Sequence, residues 1–258
     1  MKFSSKLIKS ITDIKKYNYF RMLSLKSTLL YLFFVTLIFG FISYIPQAYN
    51  YYTFLDILEK EITHNFPDFT FDGKELIIQG KQPTVLMSAR NIPIYIDTTN
   101  KTSEGTIKDY EKVVAVFSDK IIYKTSNYKI DEFNYDIFNN YRFKKSSFTS
   151  MIYSFKMASW LIVILGPLMF YAMNLFMAFS AAIIAILFNA VFNGELSFKE
   201  IFNISIHAMT LPIIINCLVR IVYMVIPAVN YVLFFITLVY IYFAIKYISY
   251  RKQIIETV

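Results

Sequence analysis

Four long apolar runs constrain the fold of this chain more than any other feature. They lie at about residues 28–45, 157–192, 208–226 and 229–248, and a helix of roughly 17–25 apolar residues crosses a bilayer. Charged residues make up 17% of the 258 residues and hydrophobic residues 56%, against about 25% and 45–50% in soluble domains. The sequence therefore predicts an α-helical membrane protein of about four transmembrane helices, with the lipid bilayer as its first partner.

Basic residues are concentrated before the first run. Residues 1–26 carry seven Lys or Arg against one Asp, whereas residues 48–150 carry fourteen acids and thirteen bases. By the positive-inside rule, the leader 1–26 is cytoplasmic, the span 27–47 follows it, and residues 48–150 are extracytoplasmic. An amphipathic helix in the inner headgroup region is predicted for the leader, because Phe3, Leu7, Ile11 and Ile14 recur at helical spacing. A nucleic-acid-binding arm is the less favoured interpretation, since the leader is short and adjoins a membrane helix.

The polar region 48–150 predicts an α+β domain. A helix is expected at 49–66, and Asp72-Gly73 between two β-rich runs predicts a hairpin with a two-residue type I′ turn. Because Cys217 is the single cysteine and lies in a predicted span, ordinary packing must hold this domain together. Further strands are expected at 84–88, 92–98, 112–117 and 120–125.

Residues 151–258 are predicted to form a membrane domain with three further spans. The run 157–192 is long enough for one span or two. One span, kinked at Gly166-Pro167, returns the basic carboxyl end to the cytoplasm, so both termini are expected there. Ser197 and Glu200 form a capping-box pattern that predicts a short amphipathic helix on the inner surface near 197–207. A tight outer turn is expected at 227–230.

Polar residues inside the predicted spans are the candidate functional residues: Arg220, Asn174 and Asn216. The two asparagines are interpreted as hydrogen bonds between helices. Arg220 lies about 10 Å along its helix from the outer end, so it can extend to the outer headgroups. It can equally hold a buried contact with Asn174, with carbonyl groups freed at Gly166-Pro167, or with an acid of the outer domain. Both interpretations of Arg220 stay open.

Signatures of enzymes are sparse. His64 and His207 fall in different parts of the predicted topology, so they cannot share a metal or catalytic site. Nucleotide-binding glycine motifs and the serine-hydrolase motif are absent from the sequence. The tetrapeptide at 96–99, which contains Asp97, weakly resembles an aspartic-protease loop, but a structural strand end is favoured. The chain is therefore predicted to have no catalytic activity, no cofactor and no metal.

Three segments carry a resemblance to a known family. They are 9–34, "KSITDIKKYNYFRMLSLKSTLLYLFF", the run from Ile92 to Thr125, and 196–214, "LSFKEIFNISIHAMTLPII". In this order they resemble an uncharacterised family of Gram-positive bacterial membrane proteins, one member of which is connected with maltodextrin utilisation. The tract from Phe198 to Pro212 is also similar to Yip1-type membrane domains. The resemblance implies a cell-membrane location, no established catalytic residues and, at most, an accessory part in sugar uptake.

Three functional hypotheses follow. The first is a non-enzymatic accessory or partner-binding protein of a bacterial envelope or transport complex, without nucleic acid as a partner. The alternative is a small transporter or lipid-handling membrane protein, and a hydrolase built on the outer domain ranks third. The sequence leaves the oligomeric state and the ligand of the outer domain open.

Overall fold

The computed structural model describes residues 1–88, 92–102, 104–126, 129–222 and 229–256. The chain divides into two units, each described by itself. The helical unit comprises Met1–Tyr49 and Trp160–Val258, and the sheet unit comprises Asn50–Ser159. The sheet unit thus extends beyond residue 150, where the sequence interpretation placed its end.

Almost all described residues of the four apolar runs are helical, and so are many residues on either side of them. Among the described residues, four candidate membrane spans are long and apolar enough to cross a bilayer: Leu25–His64, Trp160–Val191, Phe198–Ile221 and Val229–Arg251. This confirms the predicted number of candidate spans. The helices are α1 Phe3–Thr12, α2 Tyr17–Phe20, α3 Leu25–His64, α4 Lys145–Ala158, α5 Trp160–Val191, α6 Phe198–Ala208, α7 Thr210–Ile221 and α8 Val229–Glu256.

The ambiguous run 157–192 forms one continuous helix. α5 has 32 residues, which is about 48 Å at the α-helical rise, and Pro167 lies inside it. Residues on both sides of that proline continue the helical backbone, so one missing N–H donor does not end the helix. The same holds for α3, which runs for 40 residues through Pro46. The sequence interpretation had two separate helices here, a span at 27–47 and a helix at 49–66, whereas the structure joins them through Pro46.

Small side chains form the centre of the helical unit. Ala178, Ala181, Ala182 and Ala185 on α5 are all fully buried, at the i, i+3, i+4, i+7 spacing of one helix face. They belong to a buried cluster that includes isoleucines of α6 and α8, the two helices against which α5 packs. Alanine lets helix backbones approach closely, and small residues of this kind are typical of interfaces between membrane helices.

The leader forms the predicted helix α1, but other helices cover its buried face. α1 packs against α6 and α7, and α2 packs against α6. Tyr17 and Phe20 are fully buried, and Leu7 and Ile14 pack against the core of the helical unit. An apolar stripe can face lipid or protein equally well. The pattern therefore predicted the helix without identifying what its apolar face contacts.

The sheet unit contains a five-stranded sheet in the order β3-β4-β5-β6-β7 and a three-stranded sheet in the order β2-β1-β8. β4 and β5 are parallel, and the other neighbouring pairs are antiparallel. The strands are β1 Phe69–Phe71, β2 Leu76–Ile78, β3 Thr84–Met87, β4 Pro93–Asp97, β5 Val113–Phe117, β6 Lys120–Ser126, β7 Lys129–Asn134 and β8 Phe143–Lys144. The six strands expected from the sequence are confirmed; β7 and β8 were not expected.

Both faces of the five-stranded sheet are covered at its central strands, β4 and β5. Tyr95, Val113 and Ala115 belong to one buried cluster, together with Ile107 from the crossover that joins the parallel strands. Their neighbours in sequence point the other way, so Ile96 and Val116 pack with Phe69 and Ile78 of the smaller sheet. The period-2 alternation of strands explains this division.

The predicted hairpin is present, but its turn is longer than expected. Phe71 pairs with Leu76, so four residues form the loop instead of two. The Asp72 carboxylate accepts hydrogen bonds from the backbone N–H groups of Lys74 and Glu75, each at 2.9 Å. Gly73 has a φ of +103°, a conformation that glycine adopts without strain. The expected turn at 227–230 lies mainly outside the described residues, and α8 already begins at Val229.

Candidate functional site

The polar residues at the centre of the helical unit form what we call the His207 cluster: Ser10, Tyr31, His207 and Thr210. Ser10 Oγ lies 3.0 Å from His207 Nδ1. The Tyr31 hydroxyl lies 2.8 Å from Thr210 Oγ1 and donates to Ser10 Oγ at 3.4 Å. The cluster therefore connects the leader helix, α3, and the α6–α7 segment.

Aromatic rings seal this cluster. The His207 ring is stacked between Phe20, at 4.0 Å between centroids, and Tyr31, at 4.3 Å. Both His207 and Ser10 are buried, and among the described residues His207 Nε2 has no hydrogen-bond partner. A substrate has no path to these atoms in this conformation, although Ser and His are otherwise a nucleophile–base pair. The arrangement attaches the leader to the helices behind it.

A second connection joins the leader to the start of α6. Ser197 and Glu200 form the predicted capping box, and the Glu200 carboxylate also pairs with Arg21. The Asn203 side chain donates to the backbone oxygens of Arg21 and Leu23, at 3.0 and 2.8 Å. The structure therefore differs from the predicted surface helix near 197–207. Asn203 of this helix is fully buried, and the leader carbonyls accept the hydrogen bonds of its Nδ2.

Arg220 lies in a cluster with neutral partners. Its Nε donates to Asn216 Oδ1 at 2.8 Å and its Nη1 donates to the Tyr44 hydroxyl at 3.3 Å. The guanidinium carbon lies 5.4 Å from the Tyr44 ring centre and 5.6 Å from that of Phe170, within range of a cation–π interaction. We call Tyr44, Phe170, Asn216 and Arg220 the Arg220 cluster. Asn216 also donates to Asn230 Oδ1 at 3.5 Å.

Asn174 does not belong to the Arg220 cluster. It is buried, and its Nδ2 donates to the Phe170 carbonyl oxygen one turn earlier in α5, at 2.8 Å. Gly166 contributes instead through its lack of a side chain. A Cβ atom at that position would lie 2.5 Å from the Tyr44 ring, so only glycine leaves room for the ring on which Arg220 rests.

The two clusters are separated by the same number of residues on α3 and on the α6–α7 segment. Tyr31 and Tyr44 are thirteen residues apart in α3, and His207 and Arg220 are thirteen residues apart across α6 and α7. At the α-helical rise this separation is about 20 Å on each segment. One helix-face pattern in the sequence could have indicated the His207 cluster together with the neighbouring Asn203 contact. Asn203, His207 and Thr210 follow the i, i+4, i+7 spacing of one helix face.

Asp97 organises a loop in the sheet unit. Its carboxylate accepts hydrogen bonds from the backbone and hydroxyl groups of both Thr99 and Thr102, at 2.5 to 3.0 Å. Burial alone raises the pKa of this carboxyl group, but the hydrogen bonds from Thr102 and Thr99 outweigh it and lower the pKa to about 2. An ionised carboxylate with its acceptor sites filled has a structural role here, in agreement with the preferred interpretation of 96–99.

One of the two edges of the larger sheet, β7, carries exposed apolar side chains beside charged ones. β7 pairs with β6 on one side and ends the strand order. Phe133 in β7 is 57% exposed and Ile137 in the following turn is 72% exposed. We call the whole set the β7 edge. It comprises Ile130, Phe133, Ile137, Phe138 and Tyr141, all exposed.

The described residues contain no group of three or more His, Cys, Asp or Glu placed to hold a metal ion. Comparison with curated proteins and comparison with solved structures give no match. A family model described as "Protein of unknown function (DUF1189)" matches residues 5–245. The match begins in the leader and extends into α8, so it includes both units. This chain belongs to the DUF1189 family.

Proposed function

We propose that this protein is a non-enzymatic accessory protein of a bacterial membrane complex, and that the sheet unit binds the partner. The β7 edge carries this proposal. An edge strand presents unpaired backbone groups, and soluble proteins normally protect such edges with charge or cover. β7 contains the charged residues Lys129, Asp131 and Glu132, but large exposed apolar side chains lie beside them, and such patches commonly mark protein interfaces.

Two further observations support a binding role over a catalytic one. The nucleophile and base that lie together, Ser10 and His207, are sealed from solvent. In the sheet unit, the Asp97 carboxylate is engaged by its own loop. A transporter of sugar is the concrete partner that we propose, because of the resemblance to a family with a member connected with maltodextrin utilisation.

We also propose a topology in which both termini are cytoplasmic and the sheet unit is extracytoplasmic. The basic leader and Lys246, Arg251 and Lys252 near the carboxyl end support it through the positive-inside rule. The test uses Lys101→Cys, Ser5→Cys or Ile254→Cys in a Cys217→Ser background. A membrane-impermeant thiol reagent should label intact cells at position 101 alone, and labelling at position 5 or 254 contradicts the topology.

The partner is tested by crosslinking in native membranes, followed by purification of the tagged full chain. Phe133→Ser and Ile137→Ser should each reduce recovery of the co-purifying permease at least several-fold. Val85→Ser and Met87→Ser are matched controls, since both residues are exposed but lie on β3 at the opposite edge of the sheet. Equal recovery from all four variants rejects the β7 edge as the binding surface.

Reconstitution separates this proposal from the small-transporter alternative. The purified chain in liposomes should give no flux of maltodextrins or of simple ions above the background of empty liposomes. Flux that depends on Arg220 or His207 would favour the alternative, because transport paths run through polar groups inside the membrane.

A further inference from the structure

The start of α3 carries a cavity that the proposed function does not use. Its volume is about 340 Å³, and Lys6, Ser24, Lys26 and Ser27 supply its polar lining. Lys6 Nζ donates to Ser27 Oγ at 3.2 Å. This contact leaves the ammonium group of Lys6 with further hydrogens to donate. The cavity thus places two lysines from different elements around one space, with hydroxyl groups beside them.

The two lysines are not neutralised by a carboxylate. Over the described part of the chain, neither Lys6 nor Lys26 takes part in an ion pair. Residues 1–26 contain a single acid, Asp13, and its carboxylate accepts a hydrogen bond from the backbone N–H of Lys15. Two ammonium groups and neighbouring hydroxyls are the donors that hold a phosphate group. The polar half of this cavity therefore suits an anion with a phosphate.

The other half of the cavity is apolar. Phe3, Leu30 and Phe34 line it, and Lys26, Leu30 and Phe34 follow one another at intervals of four residues along one face of α3. The charge thus stands at the end of the helix, and the apolar side chains continue from it into the first candidate span. A ligand that fills the whole cavity must combine a phosphate with a hydrocarbon part.

A second cavity continues from the first as an apolar groove. It has a volume of about 600 Å³ and shares Lys26 and Leu30 with the first cavity. Its other lining residues come from the next row of α3 and from α5: Leu25, Leu29, Phe33 and Tyr171. The groove runs along α3 for about two helical turns, or about 11 Å, which accommodates part of an acyl chain.

We propose that the two adjoining cavities bind one anionic phospholipid. The phosphate lies between Lys6 and Lys26, and one acyl chain lies in the groove between α3 and α5. The inference goes beyond the proposed function, because it concerns the helical unit and needs no protein partner. Basic pockets at the ends of membrane helices are the type of site that recognises anionic headgroups.

The test is lipid binding by the full-length protein in mild detergent, followed by native mass spectrometry and by the thermal unfolding midpoint. The probes are phosphatidylglycerol, phosphatidylcholine with the same acyl chains, glycerol phosphate and inorganic phosphate. Wild-type protein should bind phosphatidylglycerol most tightly. The double variant Lys6→Gln/Lys26→Gln should weaken that binding about thirty-fold, at about 1 kcal/mol for each lysine near the headgroups.

A charge-matched variant provides the control. Lys15→Gln/Lys16→Gln removes two lysines of the same leader that do not line the cavity, and should change phosphatidylglycerol binding less than threefold. If the Lys6 variant does not fold, Lys26→Gln alone removes an exposed side chain and should weaken binding about fivefold.

Three results overturn the proposal. The first is an equal loss of binding in the cavity and control variants, which would indicate general attraction between charges. The second is equal affinity for phosphatidylcholine, whose choline group cancels the phosphate charge, because this would remove the selectivity for an anionic headgroup. The third is stabilisation by glycerol phosphate or inorganic phosphate as large as that by the lipid, which would identify a free-anion site without the groove.

Discussion

Lys156 in the sheet unit and Arg220 in the helical unit have partners of different kinds. In the sheet unit, Lys156 Nζ donates to Asp56 at 3.0 Å and to Glu59 at 2.5 Å, and these hydrogen bonds raise its pKa. In the helical unit, Arg220 and His207 meet amides, hydroxyls and aromatic rings. An ion pair does join Arg21 and Glu200, but it lies at the start of α6, next to the basic leader.

This difference follows from the cost of placing charge in apolar surroundings. A carboxylate beside Arg220 would itself have to enter a candidate span, where each acidic residue costs about 2.5–3.5 kcal/mol on insertion scales. Neutral hydroxyls and aromatic rings stabilise the guanidinium without that second cost. Asp56 and Glu59 also belong to α3, but they lie beyond its apolar run at about 28–45, so they can pair with Lys156 without entering the apolar part of the span. The comparison teaches that Lys156 and Arg220 differ in partner type, although the sheet unit also uses neutral partners for Asp97 and Lys124.

The largest expected effect comes from separating the units. Residues 50–159, expressed alone, should fold in water and give a cooperative thermal transition, whereas the helical unit should require detergent. Since Cys217 lies outside this segment, the midpoint should be the same under reducing and oxidising conditions. Residues 50–150, which lack Lys156 and its ion pairs, should unfold at a lower temperature. The absence of a thermal transition in 50–159 would show that the sheet unit does not fold independently of the helical unit.

Overpacking tests the close approach of helices in the helical unit. Ala182→Leu should lower the free energy of unfolding by about 1–3 kcal/mol, because the seam of alanines has no room for a larger side chain. The measurement is the thermal midpoint in mild detergent. Ala190→Leu makes the same change at an exposed position of α5 and should have little effect. Similar midpoints for the two variants would contradict a tightly packed seam.

Acid should destabilise the sheet unit through Asp97. Its pKa falls from an ordinary value of 3.8 to about 2 on folding, which corresponds to about 2 kcal/mol. Because the folded-state pKa is the lower one, this contribution is present above the unfolded-state pKa and is lost as the pH falls from about 4 to about 2. Urea unfolding across that range checks it.

Asp97→Asn supplies the comparison for the acid experiment. This variant should be less stable at neutral pH and should show a flatter dependence on acid. Asp136→Asn removes an exposed carboxylate and should retain the wild-type profile. Parallel curves for the wild type and Asp97→Asn would show that the loop bonds contribute nothing to folding.

The smallest expected effect is that of Arg220→Lys. A lysine cannot donate to Asn216 and Tyr44 in the same planar geometry, so the free energy of unfolding should fall by about 1 kcal/mol. The variant should resemble Arg220→Leu in its thermal midpoint. Arg251→Lys, at an exposed position of α8, is the control. A wild-type midpoint for Arg220→Lys would instead favour an arginine that only extends to the outer headgroups.

Helices and strands that depend on residues close together in the chain could be predicted from the sequence. The four candidate spans follow from apolar length, and β4, β5 and β6 follow from buried β-branched runs bounded by turns. Strand β7 was not predicted, because it is exposed on both faces and its sequence, "KIDEFN", therefore has no period-2 apolar alternation. β8 has two residues, too few for any pattern. Pro46 and Pro167 showed that proline predicts a helix end poorly where flanking residues keep the helical pattern.

The candidate sites were predictable only in part. Arg220 stood out because a charge in an apolar run is conspicuous, and Ser197 with Glu200 stood out because a capping box is local in sequence. Tyr44 could not be assigned to Arg220, because the contact joins residues far apart in the chain. Gly166 was proposed for its carbonyl group, but it contributes the space that the Tyr44 ring occupies. His207 was judged alone, since its partner Ser10 lies in the leader and hydroxyl residues are common in any sequence.

The equal spacing of the two clusters restricts relative motion in the helical unit. A single polar contact between α3 and the α6–α7 segment would oppose rotation at one level only. Two contacts about 20 Å apart oppose rotation at both levels, and sliding of one segment along the other would have to break both contacts. One residue inserted between Tyr31 and Tyr44 would turn the second contact by about 100° around the axis of α3. The number of residues in this interval is therefore constrained.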